Sequence, residues 1–308
     1  MKSTLLSLAL LFSTLITVCF IPQSNQSPIN QSPTNQSPTN QPEELGKVHW
    51  LRDLDLGKAE SQKSGKPILI LFQEVPGCYN CTRYGNTTLS DPLIVEAIET
   101  YFVPVCIFNN KGGKDAEALR TFGEPAWNNP VVRIVRNDYQ DVVLRMPNFN
   151  SSLQLVNGMR RALDLTGTTA PRYLELLEEE LSAREAGLQT ATFSMYCFWT
   201  GEGIFGAIPG VIETEPGYQD GKEVVKVQFD PGVTSRSELE KLTQPKSITA
   251  CAKNDGFRPD REPKYYLAQT GYRLIPMTSL QACRANSLVG KGQSPDELLS
   301  PRQLKMLK

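Results

Sequence analysis

Six apolar residues in unbroken succession, Pro67-Ile68-Leu69-Ile70-Leu71-Phe72, constrain the fold of this chain more than any other feature. A run this short with no polar alternation reads as a strand buried on both faces, the kind found inside a parallel sheet with helices on either side. Gly77-Cys78-Tyr79-Asn80-Cys81 follows directly, so a dithiol is placed at the C-terminal edge of that sheet and at the mouth of a helix. Asp91 then caps a second helix with Pro92 in its first position and Leu93, Ile94, Ala97 and Ile98 as its buried stripe. Val103 to Phe108 returns as a strand, a short helix lies around Ala116 to Phe122, and Asn129-Pro130 leads into strand Val131 to Val135. A turn at Asn137-Asp138 and a last strand, Val142 to Met146, complete a β-α-β-α-β-β order. The α/β region runs from Glu43 to Leu165.

Residues 166–188 form a connecting helix. Pro171 sits in its first turn, Leu174, Leu177 and Leu181 fall at helical spacing, Gly187 ends it, and Glu178-Glu179-Glu180 is its solvated face. Residues 189–308 make a second, α+β region. Thr190 to Tyr196 is a strand that delivers Cys197 to a short helix, Trp199 to Ala207; Pro209-Gly210 turns into Val211 to Tyr218, and Glu223 to Phe229 alternates as a strand with one buried face. Ser237 to Leu242 is helical. Thr278 caps a helix carrying Leu280, Cys283 and Leu288, and Ser294-Pro295 and Ser300-Pro301 open two short terminal helices.

Charge and the N-terminus bound the setting. Lys and Arg total 32 against 33 Asp and Glu, so no basic field exists to attract nucleic acid. Lys2 followed by an apolar run from Leu5 to Phe20 makes residues 1–22 a signal peptide or membrane anchor, and either exports the chain to a periplasm or anchors it in the cell envelope. Residues 23–42 repeat Gln-Ser-Pro-x-Asn and carry too few apolar side chains to order themselves, so they are expected to be a disordered linker. Extended at about 3.1 Å per residue, they would tether the body up to about 60 Å from a membrane.

Of seven cysteines, Cys19 lies in the leader and the other six are too spread to staple a mini-domain, so redox chemistry is expected of them. A cysteine at a helix N-terminus has its thiolate stabilised by unpaired N–H groups and the helix dipole, and only the thiolate attacks a disulfide. Cys78 and Cys81 are also half of a zinc site, but zinc takes four ligands and the one histidine, His49, lies well before them. No metal and no cofactor are expected. Cys106, inside an apolar strand, is expected to be a buried small hydrophobe.

The first region resembles the thioredoxin superfamily over roughly 120 residues, including a Ser90-Asp91-Pro92 step. The resemblance implies that Cys78 is the attacking thiol, Cys81 the resolving thiol, and Pro130 a cis proline facing them. Gly77 before the first cysteine and Tyr79-Asn80 between the two depart from the usual Trp-Cys-Gly-Pro-Cys.

The second region resembles the methionine sulfoxide reductase A family, whose domain is ferredoxin-like α+β. The Thr-Ala-Thr-Phe strand, Cys197-Phe198-Trp199, Glu202, Ile208-Pro209-Gly210-Val211, Gly217-Tyr218, Glu223-Val224-Val225 and Phe229-Asp230-Pro231 fall in the family's order. The resemblance implies that Cys197 attacks the sulfoxide sulfur and is left as a sulfenic acid, that Phe198 and Trp199 cup the substrate methyl, and that Tyr218, Asp260 and Tyr265 assist. The family's segment between Gly-Tyr and Glu-Val-Val, which carries its acidic residue, is missing; Glu202 and Glu223 are the substitutes on offer as proton donor. Cys251 and Cys283 are candidates to resolve the sulfenic acid.

Two functions follow. One is an exported peptide-methionine (S)-S-oxide reductase, acting in protein repair under oxidative stress, whose fused dithiol regenerates Cys197. Its partners are methionine sulfoxide in oxidised proteins or peptides and an upstream thiol reductant, with a membrane tether at the N-terminus. The other is a thiol-disulfide oxidoreductase bearing a catalytically degenerate binding domain.

Overall fold

The structure, a computed structural model, describes residues 41–127, 130–147, 151–253 and 255–307. The expected leader and almost all of the linker lie outside those residues, and among the described residues no helix is long and apolar enough to cross a membrane. The described residues begin two before the expected boundary, and the Gln41 side-chain amide donates to the carbonyls of Leu45, Gly46 and Val48 at 3.0–3.2 Å.

In the front half, α1 (Leu54–Ser64) precedes β1 (Ile68–Gln73), followed by α2 (Tyr79–Asn86), α3 (Pro92–Tyr101), β2 (Val103–Phe108), α4 (Lys114–Phe122) and β3 (Val131–Val135). β1 is central, parallel to β2 and antiparallel to β3. Single bridges, Leu51 to Val105 and Met146 to Val132, extend the sheet at both edges. The pleat sorts the fully buried run. Leu69 and Leu71 enter one core with Cys106, Val132 and Ile134, while Ile68, Ile70 and Phe72 enter the other with Val103, Val105 and Ala118. Asp91 caps α3 by accepting from the Leu93 and Ile94 N–H groups. The expected strand Val142 to Met146 is corrected: its pairing shifts between the bridges Val135 to Asp141 and Val132 to Met146, and the bulge leaves Leu144 90% exposed.

Two further helices follow, α5 (Ser152–Leu165) and α6 (Arg172–Ala186), with Pro171 at the cap of α6 rather than within its first turn. α6 is shared between the halves. Tyr173, Leu174 and Leu177 enter the front core, whereas Leu176 and Ala183 pack with Ile212, Leu280, Ala285 and Leu298. The Glu178–Glu180 run is therefore not simply a solvated face. Glu180 is buried and accepts the Leu280 N–H at 2.9 Å, and Glu179 pairs with Arg284 at 3.2 Å.

In the rear half, β4 (Gln189–Ser194), α7 (Phe198–Phe205), β5 (Val211–Gln219), β6 (Lys222–Phe229), α8 (Arg236–Thr243), β7 (Thr249–Ala250), β8 (Arg258–Pro259), α9 (Tyr265–Ala268), α10 (Ser279–Gly290) and α11 (Pro301–Lys305) follow in order. The sheet is antiparallel throughout, in the order β7-β4-β6-β5-β8. Phe193, Phe205, Val225, Val227 and Phe229 form its core beneath α7. Thr278 and Ser300 cap α10 and α11 with reciprocal Gln281 and Gln303 contacts. The last helix reaches back to the front half: Glu96 accepts the Arg302 N–H at 2.8 Å, and Glu99 pairs with both Arg302 and His49.

Candidate active sites

β1 ends at Gln73 and α2 begins after Cys78, so the intervening loop fixes the dithiol. Gln73 holds the loop from below, its amide donating to the Glu44 carbonyl at 2.6 Å and the Cys81 carbonyl at 3.2 Å. The Glu44 carboxylate accepts the Gly77 N–H at 2.6 Å. Cys78 is exposed, Cys81 is buried, and their sulfurs stand 3.5 Å apart as free thiols.

Their acidities diverge. Partial burial pushes the Cys78 thiol up, but the Cys81 and Asn80 N–H groups and the Cys81 thiol outweigh it, and the net shift is downward. Burial, with the neighbouring Cys78 sulfur, pushes Cys81 up to about 11. That is the asymmetry an attacking and a resolving thiol need. Pro130 lines a cleft of about 350 Å³ with Asn80, Arg83 and Tyr84, so it stands across from α2. Its expected cis bond involves Asn129, outside the described residues; a cis bond among those described is Val75–Pro76. Cys106 is buried in β2 and burial pushes its thiol far up.

In the rear half Cys197 is the N-cap residue of α7, half-buried, with no side-chain partner of its own for the helix. The first N–H beyond it, that of Phe198, donates to the Glu223 carboxylate at 2.9 Å. Glu223 gets there through the hairpin. β5 and β6 meet in a two-residue turn at Asp220-Gly221, both at positive φ (50° and 73°), the turn type whose twist suits a hairpin. Its register sets Tyr218 directly opposite Glu223, so the two side chains project from one face as neighbours. The Tyr218 ring meets Phe198 edge-on at 5.3 Å, Phe198 meets Trp199 at 5.4 Å, and Trp199 stacks on Tyr265 at 4.0 Å. Phe198 is buried and Tyr218 is exposed.

Asp260 stands beside Pro216, donating its N–H to that carbonyl at 2.9 Å, and its carboxylate accepts the Glu262 N–H at 3.1 Å within its own turn. Glu202 is fully buried, accepting from Thr214 at 3.1 Å and from the Lys264 ammonium and N–H at 3.0 and 2.8 Å. Burial alone would lower Lys264, but the charges of Cys283 and Glu202 raise it, so the ammonium is retained. Glu202 is thereby an ion-pair anchor for the loop before α9.

Cys283 is buried at 3.5 Å from the Thr214 hydroxyl. Its carbonyl lies so close to Gly206 that a Cβ there would come within 2.5 Å. Gly206 follows Cys197 by nine residues of helix, about 13 Å, whereas a disulfide needs Cα atoms within about 7 Å. Cys283 and Cys197 thus lie toward opposite ends of α7. Cys251 is half-buried opposite Thr192, bonded to its carbonyl at 2.8 Å, and its thiol accepts from the Ser194 N–H, three residues before Cys197. Burial raises that thiol against the lowering effect of Lys222 and Arg236.

Lys264, Glu44 and Glu74 escape sequence reasoning because single charged residues in loops carry no periodicity. Lys264 sits at positive φ (57°), which no pattern announces for a lysine.

Residues 49–137 match the thioredoxin-like family. This stretch is thioredoxin-like. A thioredoxin from Thermus thermophilus is similar at 18% identity and a TM-score of 0.34, covering 39% of this chain and 90% of that one. A peptide methionine sulfoxide reductase from Rhizobium meliloti is 43% identical over 74 residues, which cover 19% of this chain and 37% of that protein. One from Drosophila melanogaster is 40% identical over 63 residues, covering 16% and 26%. The chain thus spans less than half the length of these curated relatives. It joins a thioredoxin-like domain to a stretch similar to methionine sulfoxide reductases, with mixed α/β and α+β architecture.

Proposed function

We propose that the rear half reduces peptide methionine (S)-sulfoxide at Cys197. The observation that carries this reading is the cross-strand pair of Tyr218 and Glu223 held against Phe198, the residue that follows Cys197. The Cys197 thiolate attacks the sulfoxide sulfur, and Tyr218 and Glu223 protonate the oxygen. Methionine leaves with its sulfur electron pair, and the oxygen remains on Cys197 as a sulfenic acid. The Cys251 thiolate then attacks the Cys197 sulfur, expelling water and forming a disulfide. Two electrons must return, and the front dithiol is their source: Cys78 attacks that disulfide, Cys81 resolves the mixed disulfide, and an upstream thiol reductant restores the pair.

Neither Cys78 nor Cys197 belongs to the contacts that join the halves. Contacts that join them include those of Glu96 and Glu99 on α3 with Ser300 and Arg302. Export to a periplasm or cell envelope, with residues 23–40 as tether, completes the reading. Acid trapping and mass spectrometry after one turnover should find Cys197 linked to Cys251. A sulfenic acid that persists in the presence of Cys251 would contradict it.

The competing reading, a binding domain without catalysis, is favoured by one feature. The Asp220-Gly221 turn stands where the family's acidic segment would be.

A further inference from the structure

We propose that Glu74, Cys78 and Cys81 form a three-donor site for a thiophilic cation of the zinc class. The two sulfurs are 3.5 Å apart, and a Glu74 carboxylate oxygen lies within 4.8 Å of both. A cation about 2.3 Å from each sulfur would see them at roughly 100°, close to tetrahedral, and a carboxylate oxygen at about 2.0–2.2 Å takes a third position once it stands about 3.6 Å from the sulfurs. A disulfide would instead need the sulfurs about 2.05 Å apart. The remaining position opens to solvent on the Cys78 side, since Cys78 is exposed. Three protein donors and one open position are what a zinc-class ion accepts when it also takes water or an external ligand.

The donors are carried by rigid parts. Glu74 directly follows buried β1, and Cys81 lies in the first turn of α2. The Gln73 and Glu44 contacts pin the loop between them. Sequence reasoning passes over this site because it seeks a second cysteine or histidine pair, and a glutamate four residues before Cys78 belongs to no such pattern.

Binding displaces the thiol protons to solvent and transfers no electrons. A disulfide offers no thiolate, so only the reduced pair binds, and an occupied site cannot attack a disulfide. The inference stands on this geometry and not on the activity of Cys197.

The test uses the reduced full chain carrying Cys197→Ser and Cys251→Ser, titrated anaerobically with Co2+ as a spectroscopic probe and then with Zn2+ against a chromophoric chelator. We expect thiolate-to-cobalt charge-transfer absorption saturating at one equivalent, displaced by Zn2+ and absent once the dithiol is oxidised. Glu74→Gln, which preserves size and lets the protein fold, should weaken Zn2+ binding by tenfold or more. Unchanged affinity in Glu74→Gln, or cobalt absorption that survives Cys81→Ser in a chain with wild-type circular dichroism, would overturn the proposal.

Discussion

Glu223 accepts the backbone N–H of Phe198 at 2.9 Å, placing a carboxyl group against the first turn of the helix that Cys197 heads. The contact exists because the hairpin turn is only two residues long. A longer connection would carry an acid on a loop; here the strand register itself carries it, opposite Tyr218.

Replacing Glu223 with Gln keeps an acceptor for the Phe198 N–H and removes the proton. General-acid groups are worth about 10²–10⁴ in rate. We expect kcat for sulfoxide reduction to fall by at least about 100-fold in Glu223→Gln, with little change in Tm. Steady-state kinetics with dithiothreitol as reductant measure the first, thermal denaturation the second.

Glu202 and Lys264 form a buried pair, and breaking such a pair leaves an uncompensated charge at a cost of about 3–5 kcal/mol. Lys264→Met should destabilise the chain by that order in urea denaturation. Glu202→Gln on top of Lys264→Met removes the orphaned charge and should recover most of the loss, because apolar or neutral replacements of whole buried pairs are near neutral. Recovery in the double variant separates an ion-pair role from a catalytic one.

The dithiol should show its asymmetry in alkylation. Cys78 is shifted downward, so at a given pH more of it is thiolate than of an unperturbed cysteine. Cys81, at about 11, stays protonated near neutral pH. Iodoacetamide rates followed by mass spectrometry from pH 6 to pH 9 should show Cys78 modified first at every pH. Equal rates at the two sulfurs would contradict the assignment.

Legibility followed the physics of each signal. The strand behind the dithiol, the Asp91-Pro92 cap, and the strand into Cys197 were readable because burial on two faces and capping leave local marks. α1 and α5 left weaker ones. α1 presents only Gly57 and Ser61 as buried residues, and its Asp53 cap and Gly65 terminus frame no apolar stripe. At the site, the aromatic chain from Tyr218 to Tyr265 joins residues 47 apart in sequence, and its motif residues were legible. What was not legible was choice among like residues. Glu202 and Glu223 look equivalent in sequence, as do Cys251 and Cys283; only packing shows one glutamate paired to Lys264 and one cysteine toward the far end of α7.

The most direct measurement is turnover of the full chain on the S and R epimers of a methionine sulfoxide peptide with dithiothreitol, beside Cys197→Ser. Turnover confined to the S epimer and abolished by the substitution is the expected result. No turnover on either epimer, with thiol-disulfide exchange at Cys78 intact, would contradict a reductase and leave a thioredoxin-like oxidoreductase carrying a binding domain.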